Sequence, residues 1–284
     1  MPATRALPAG SATMAGVSAG IRIMGVLNVT PDSFSDGGRY LEVANAIEHG
    51  LELAAQGASI IDVGGESTRP GAGGVELREE LRRVIPVIEG LRDAGLQATI
   101  SIDTSKLEVA RAALDAGATF VNDVTAFRAA PEMAALVAER GAECSLMHMQ
   151  GEPRTMQDEP RYDDVLGEVR EFLRERLAFA MEAGIARERI AVDPGFGFGK
   201  TVAHNLELLD RLDELALLGA PILIGTSRKS FLGALTGRGE HDRLAATIAT
   251  NVIGLLRGAS VFRVHDVAAV RDALAVAAAT VSSR

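Results

Sequence analysis

The stretch IRIMGVLNV, at residues 21–29, decides the fold of this chain. It is an almost continuous apolar run, which is typical of a strand covered on both faces in a parallel sheet. The polar residue Asn28 comes at its carboxyl end. Seven more short apolar runs also end in polar or charged residues, and we predict strands at 58–63, 98–102, 120–121, 143–147, 190–192, 221–224 and 261–264.

Helical periodicity fills the gaps between these strands. Apolar residues recur at three- and four-residue spacing at residues 41–56, 76–94, 106–116, 132–140, 163–183, 205–217, 243–257 and 267–281. Strict alternation of eight strands with eight helices, with no linker, predicts an α/β fold: a single (β/α)8 TIM barrel of parallel strands. An open doubly wound sheet is the alternative. We expect a disordered leader over residues 1–20, the barrel over residues 21–284, and long loops after strands 1 and 2.

The composition narrows the class of protein. The chain has 284 residues, 47% of them hydrophobic, which suits one large barrel. Its net charge of −9 argues against a nucleic-acid partner, and an anionic substrate would need a local cationic pocket. The single Cys144 lies in an apolar run, which predicts a buried, inert thiol. No apolar stretch is long enough to span a bilayer, so we expect a cytoplasmic protein that binds no membrane.

Polar residues at three strand ends predict a binding site. In a parallel barrel the side chains at the carboxyl ends of the strands converge on one mouth. Asp103, Asn122 and Asp193 end strands 3, 4 and 6. Carboxylates beside an amide match the amino and ring N–H groups of a pterin or purine edge, and such donors offset the cost of burying the acids. A helix N-cap is the alternative for Asp103, because a helix follows it.

The glycine-rich motif DPGFGFGKT, at residues 193–201, supplies a further candidate. It nearly matches a phosphate-binding P-loop, but Pro194 stands where that motif needs its first glycine, so we reject a nucleotide site. Its glycines let the backbone approach a flat ligand, with Phe196 or Phe198 as an apolar wall. Packing of Phe198 on the barrel rim is the alternative.

The motif TSRKSF, at residues 226–231, predicts an anion site. It places Arg228 and Lys229 at a strand end and Ser230 at the start of a short helix. Two cations beside a helix N-terminus suit a carboxylate or a phosphate. A Schiff-base lysine and solvated surface charge are the alternatives.

Strands 8 and 1 predict a diphosphate site. Arg263 and His265 are spaced by one residue, so they point to the same side of strand 8, and Asn28 ends strand 1. No spacing resembles a tight metal cage. We therefore expect any metal to be Mg²⁺ that shares the phosphates and one protein oxygen, such as that of Asn28. His148, at the end of strand 5, is either a satisfied hydrogen-bonding residue or a ligand.

Eight motifs in this order resemble those of the dihydropteroate synthases, a pterin-binding barrel family of folate biosynthesis. They span residues 24–266 and comprise MGVLNVTPDSFSDGG, DVGGESTRPG, ISIDTS, VNDV, LMHMQGEPRTMQ, VDPGFGFGK, IGTSRKSFLG and FRVHD. Each motif alone is weak evidence, but together they cover nearly the whole predicted barrel.

The resemblance implies a transferase that condenses 6-hydroxymethyl-7,8-dihydropterin diphosphate with 4-aminobenzoate, giving 7,8-dihydropteroate and diphosphate. It also implies Mg²⁺ as cofactor, a homodimer and inhibition by sulfonamides. We expect an SN1-like reaction in which diphosphate leaves before the amine attacks. Anionic Asp103 and Asp193 would then suit the cationic pterin methylene, while cations suit the leaving group.

The resemblance assigns roles to single residues. The catalytic candidates are Asp103, Asn122, Asp193 and Lys229. The pterin pocket would contain these four with Met147, Gly225 and Arg263. Diphosphate would lie among Asn28, Thr68, Arg69, Arg263 and His265, with Mg²⁺ on Asn28. The 4-aminobenzoate would lie among Ser230, Phe198, Arg69, Pro70 and Phe34, with Asp36 closing over it.

Three other functions are open at this point. A methyltransferase barrel that binds methyltetrahydrofolate would recognise the pterin in a similar way, but it needs no diphosphate site. A non-catalytic pterin-binding relative should have damaged loop motifs, and both loop motifs are intact here. A structural role would leave the many converging polar strand ends unexplained.

Overall fold

Eight parallel strands run in the order β6-β5-β4-β3-β2-β1-β8-β7, and a bridge between Val192 and Ile222 nearly closes the barrel. The computed structural model describes residues 20–30, 39–67, 73–151 and 155–282; the predicted leader lies outside them except for Gly20. The strands are β1 (Arg22–Asn28), β2 (Ile60–Gly64), β3 (Thr99–Asp103), β4 (Phe120–Asp123), β5 (Glu143–Met147), β6 (Ile190–Asp193), β7 (Leu223–Ile224) and β8 (Val261–Val264). The predicted barrel is confirmed, and the open sheet is wrong.

Helices surround this barrel. Within the described ranges they are α1 (Arg39–Ala55), α2 (Leu77–Asp93), α3 (Leu107–Ala116), α4 (Glu132–Arg140), α5 (Val165–Glu182), α6 (Val202–Asp210), α7 (Ser230–Thr236), α8 (Leu244–Leu256) and α9 (Val267–Ser282). The short helix predicted at Ser230 is confirmed as α7. Most predicted helices differ from the observed ones by one or two residues at their ends.

The prediction of one continuous α-helix at residues 205–217 is wrong. The α-helix α6 ends at Asp210, and a 3-10 helix follows at Leu212–Leu218. A 3-10 helix has three residues per turn, so every third side chain lies on the same face. Leu212, Leu215 and Leu218 are all buried, which an α-helical continuation could not achieve as well. Core packing therefore selects the tighter helix.

The barrel interior changes from apolar to polar along the strands. Its lower layer is a separate apolar cluster of Met24, Ile60, Phe120, Ala191, Leu223 and Val261. Side chains of a strand alternate between its two faces, so the residues two positions further on also point inward. On β2, β4, β6 and β8 these are Asp62, Asn122, Asp193 and Arg263. The same two-residue period thus builds the apolar floor and the polar mouth above it.

The outer faces of the strands pack against the helices. Val63, Ile102 and Val121 are fully buried in the large cluster between sheet and helices. Cys144 belongs to this cluster, and burial raises the pKa of its thiol far above the ordinary value, which confirms the prediction of an inert cysteine. None of the described helices combines the length and the apolar character needed to cross a membrane.

Candidate active site

An ion triad of two buried carboxylates and one partly buried arginine lies at the centre of the barrel mouth. The Arg263 guanidinium on β8 donates from Nε to Asp62 Oδ2 (2.6 Å) and from Nη2 to Asp103 Oδ2 (2.7 Å). Asp62 on β2 is fully buried, and Asp103 on β3 is 8% exposed. One cation thus joins two carboxylates from neighbouring strands, which reduces the cost of keeping both charged inside the barrel.

Asp62 also orients the amide of Asn122. The Asp62 carboxylate accepts from Ser101 Oγ (2.6 Å) and from Asn122 Nδ2 (3.0 Å), and the Ser145 hydroxyl donates to Asn122 Oδ1. The amide therefore directs its amino group to Asp62 and its oxygen to Ser145. It retains one N–H and one lone pair beyond these bonds, which makes it able to bind a ligand with both donors and acceptors.

The charges of the triad depend on each other. Burial raises the pKa of Asp103, the Arg263 guanidinium opposes that rise, and the charge of Asp62 adds to it. Burial lowers the pKa of Arg263, but Asp62 and Asp103 outweigh that effect and the net pKa is raised. Arg263 is consequently a permanent cation. Asp103 caps no helix, because α3 begins at Leu107 with Lys106 as its N-cap.

Asp193 ends β6 on the same mouth. Its Oδ1 accepts from the backbone N–H of Gly195 (2.7 Å), two residues further along the loop. Burial raises the pKa of Asp193 to about 6, while the Gly195 hydrogen bond and the charges of Lys229 and Lys200 oppose the rise. The carboxylate is therefore mostly ionised at neutral pH but easily protonated in mild acid.

Lys229 and Phe198 meet at the edge of the mouth. The Lys229 Nζ lies 3.8 Å from the centre of the Phe198 ring, which is a cation–π contact. Phe198 also packs in a small apolar cluster with three methionines, Met147, Met149 and Met156. The ring is thus both packed on the rim, as the alternative held, and placed beside a candidate catalytic cation.

Arg228 does not join this cationic group. Its guanidinium forms two hydrogen bonds with Asp266, from Nε to Oδ2 (3.1 Å) and from Nη2 to Oδ1 (2.6 Å). The prediction that two cations of the TSRKSF motif share one anion is therefore wrong for Arg228, whose charge is neutralised at the rim. Lys229 is the N-cap of α7, and Ser230 is its first residue.

His265 and Asn28 end the two neighbouring strands β8 and β1. His265 Nδ1 lies 3.0 Å from Ser227 Oγ, which orients the imidazole ring. A side chain at Gly64 would begin 3.5 Å from Asp103 Cβ and 3.9 Å from Asn28 Oδ1. The glycine thus keeps open the space between an amide oxygen and the triad. No group of three or more acidic, histidine or cysteine side chains forms a metal cage within the described ranges.

Five predicted site residues lie outside the described residues, namely Phe34, Asp36, Thr68, Arg69 and Pro70. Of the others, Met147 is buried at the end of β5, and Gly225 follows β7 with Arg263 Cβ 3.9 Å from the position of a Cβ. Both therefore border the mouth.

Two residues of the mouth and its loop were given no role by the sequence reasoning. Asp62 begins the polar cluster that ends the second predicted strand, but that position alone assigned it no partner. Lys200 belongs to the recognised DPGFGFGKT motif, yet it is only 3% exposed and its Nζ lies 2.9 Å from His148 Nδ1. His148 is accordingly a satisfied hydrogen-bonding residue beneath the loop. Burial, with the charge of Lys200, lowers its pKa to about 2, so the ring is neutral.

The chain is similar to proteins of known function over nearly all its length. The model of the pterin binding enzyme family matches residues 24–265. Dihydropteroate synthase of Escherichia coli (strain K12) is 48% identical over 264 residues, covering 92% of this chain and 92% of that protein. The structure of Xanthomonas albilineans dihydropteroate synthase with 4-aminobenzoic acid has a TM-score of 0.87 at 50% identity, covering 93% of this chain and 94% of that one. The complex from the same organism with 7,8-dihydropteroate has a TM-score of 0.81 at 44% identity, with the same coverage.

We expect the substitution Asp62→Asn to lower the free energy of unfolding by about 3 kcal/mol at most, because it leaves the partly buried Arg263 with one carboxylate instead of two. Urea denaturation measures this. Asp115→Asn is the matched control, since Asp115 pairs with Arg140 at the surface and such pairs contribute about 0–1 kcal/mol. Equal stability of the two variants would show that Arg263 does not depend on Asp62.

Proposed function

The chain belongs to the pterin binding enzyme family, and we propose that within this family it acts as a dihydropteroate synthase. It condenses 6-hydroxymethyl-7,8-dihydropterin diphosphate with 4-aminobenzoate and releases 7,8-dihydropteroate and diphosphate. The observation that carries the proposal is the buried group of Asp103, Asn122, Asp193 and Arg263 at the mouth. Its alternating donors and acceptors match a pterin edge, and similar barrels hold 4-aminobenzoic acid and 7,8-dihydropteroate.

The pterin is recognised through its polar edge. Asp193 accepts hydrogen bonds from the amino and ring N–H groups, and Asn122 contributes its remaining N–H and lone pair. Met147 and Gly225 supply an apolar wall and an open backbone surface. Lys229 donates to an acceptor on the ring. Buried carboxylates of this kind gain from such donors, because each donor replaces water that the closed site excludes.

The leaving diphosphate lies at the opposite end of the breaking bond. Asn28 and His265 end the adjacent strands β1 and β8, and Arg263 has three N–H groups beyond its two bonds with Asp62 and Asp103. The family resemblance assigns Thr68 and Arg69, which lie outside the described residues, to the same diphosphate site. Donors placed where charge develops are each worth roughly 2.7 to 4 kcal/mol in rate.

Opposite charges at the two ends of the bond favour dissociation before attack. Asp103 and Asp193 stabilise positive charge on the pterin methylene, and the cationic side chains stabilise the departing diphosphate. The amine of 4-aminobenzoate then attacks the cationic carbon as a neutral nucleophile, and the nitrogen of the new C–N bond releases one proton to water. This step requires no general base, which agrees with the neutral, buried state of His148.

The second substrate enters beside the TSRKSF helix. Its carboxylate is received by Ser230 at the start of α7, and its ring lies against Phe198. The family resemblance also assigns Phe34, Arg69, Pro70 and Asp36, which lie outside the described residues, to the site of the second substrate. Inhibition by sulfonamides stays a prediction from the family resemblance, and a cytoplasmic location stays a prediction from the sequence.

The residues fit Mg²⁺ only as a metal shared with the substrate. Asn28 offers one hard oxygen, and the space beside Gly64 is open, but the described side chains include no acidic cage. Mg²⁺ commonly binds in this way, through one or two protein oxygens, water and substrate phosphates. When bound, it neutralises charge on the leaving diphosphate.

The helix α8 supports a homodimer because it buries polar residues and exposes apolar ones. Its buried side carries polar residues, with Thr250 Oγ1 2.8 Å from Thr226 Oγ1 and the Asn251 amide bonded to the carbonyl oxygen of Thr247. Its exposed side, the α8 face, is apolar and comprises Leu244, Ala245, Ala249, Ile253 and Leu256. A helix that buries polar groups and exposes apolar ones suits a second copy of the chain that covers it.

The methyltransferase and the non-catalytic relative are less well supported than the synthase. A methyl transfer leaves Asn28, His265 and the open space beside Gly64 without a use. A non-catalytic relative has no need of the cationic side chains at the leaving-group end.

The reaction is tested with purified protein, the dihydropterin diphosphate and Mg²⁺, with and without 4-aminobenzoate. We expect dihydropteroate only with all components, and loss of product when EDTA removes the metal. Asp193→Asn and Lys229→Ala should each reduce kcat at least 100-fold, since each removes a group that touches the pterin. Asp115→Asn is the control. Pterin binding without product, or normal kinetics in both site variants, would contradict the proposal.

We expect kcat/KM for the pterin substrate to fall about tenfold per pH unit below pH 6. The pKa of Asp193 is raised to about 6, so the carboxylate that accepts the pterin N–H groups is lost as the pH falls through that value. Rates between pH 5 and 8 measure the effect. The residual activity of Asp193→Asn should lack this acidic limb; an unchanged limb would assign it to another group.

The homodimer is tested by light scattering after size-exclusion chromatography. We expect the double substitution Ile253→Asp and Leu256→Asp to halve the molar mass, because charge on the α8 face prevents its burial. Val276→Asp is the matched control, since Val276 is an exposed apolar residue of α9 outside that face. A monomeric parent protein, or a double variant that stays dimeric, would contradict the assignment.

A further inference from the structure

Lys200 is a buried lysine that the proposed chemistry does not use. It ends the loop between β6 and α6, and its side chain folds back beneath that loop. Its Nζ donates to the carbonyl oxygens of Phe198 (2.9 Å) and Gly195 (3.0 Å) and contacts His148 Nδ1 at 2.9 Å. The three N–H groups of an ammonium thereby have three close acceptors, and the carbonyl oxygen of His148 is a fourth at 3.5 Å.

Such an arrangement is costly. In the described part of the chain the hydrogen-bond partners of Lys200 Nζ are carbonyl oxygens and an imidazole nitrogen, not carboxylates. An ammonium that is buried without a carboxylate loses hydration that no opposite charge replaces. Burial lowers the pKa of Lys200 to about 7, with Lys229 acting in the same direction and Asp193 opposing. An apolar residue at this position would avoid the desolvation cost of the ammonium. We therefore attribute the hydrogen bonds of Lys200 to stabilisation of the loop.

The loop itself depends on close backbone contacts. Gly195 and Gly199 have φ values of +69° and +61°. A Cβ at Gly195 would lie 1.9 Å from the carbonyl oxygen of His148, and one at Gly199 would lie 2.5 Å from that of Gln150. The loop therefore rests directly on the chain that leaves β5, and Lys200 joins the two layers through His148.

The two ends of this loop carry different parts of the site. Asp193 belongs to β6 and is held by the sheet, whereas Phe198 lies at the far end, where Lys200 holds its carbonyl oxygen. The Phe198 ring in turn contacts the Lys229 ammonium. Lys200 also bonds the carbonyl oxygen of Gly195, whose N–H donates to Asp193, but the backbone of Asp193 is held by its pairing with β5. Loss of the Lys200 hydrogen bonds should consequently disturb Phe198 more than the pterin end.

We infer that Lys200 is a positioning residue that holds the loop at residues 194–199 against β5, so that Phe198 faces Lys229 and the second substrate. The inference deepens the proposed synthase function and rests on it for the identity of that substrate. It assigns to Lys200 a selective effect on 4-aminobenzoate, which a purely structural lysine would not have.

The test compares Lys200→Met with the parent protein. Met has a similar length but no donor and no charge. We expect KM for 4-aminobenzoate to rise at least tenfold while Kd for the dihydropterin diphosphate, measured by calorimetry, changes less than threefold. Equal changes in both constants, or no change in either, would overturn the inference. Lys200→Gln keeps N–H donors on a shorter side chain, so its KM for 4-aminobenzoate should lie between those of the parent protein and Lys200→Met. If Lys200→Met does not fold, the same two constants are compared for Lys200→Gln.

Hydrogen exchange measured by mass spectrometry tests the stability of the loop independently of the enzymatic reaction. We expect Lys200→Met to accelerate exchange at residues 195–199 at least tenfold, with unchanged exchange in β1 to β4. Gln157→Ala is the matched control for the loop, because exposed Gln157 donates to the carbonyl oxygen of Gly197 from the opposite side. A parent protein that makes no dihydropteroate would contradict the proposed reaction alone, whereas unchanged loop exchange in an active enzyme would contradict the role of Lys200.

Discussion

The polar interior of this barrel depends on one partly buried cation, the guanidinium of Arg263. It bridges Asp62 and Asp103, and Asp62 in turn orients Asn122. Without the cation, two carboxylates on adjacent strands would face each other in a region that excludes most water, and one of them would take up a proton. The hydrogen-bonding surface offered to a pterin would then change. Arg263 thus sets the charge state of the whole mouth.

The mouth is built from strand ends and loops in different ways. Side chains on β2, β3, β4 and β8 are held by the parallel register, which places Asp62 beside Ser101 and Asp103 beside Asn122. The loop after β6 has no such support, and it relies on glycines in left-handed conformations and on the ammonium of Lys200. Rigid strands therefore present the pterin pocket, and a braced loop presents the wall for the second substrate.

Particular residues show how far sequence reasoning reached. Asp103, Asn122 and Asp193 were found because a strand end in a parallel barrel is a predictable place, and the structure brings all three to one mouth. Arg228 was misassigned, since its partner Asp266 is 38 residues away and local pattern cannot reveal that pair. The helix predicted at 205–217 failed because its α-helical period ignored the packing that buries Leu212, Leu215 and Leu218.

The pattern of apolar and polar residues along the chain determined the barrel, its strand ends and the chemical types of residue available for a site. Burial patterns of period two and period 3.6 depend only on neighbours along the chain, so they can be read without coordinates. Asp62 and Arg263, by contrast, are 201 residues apart, and their pairing depends on the register of a nearly closed barrel. The inward turn of Lys200 likewise depends on the close approach of the loop to the chain after β5. Tertiary structure alone decided these contacts, because only the folded chain sets which polar groups are buried together.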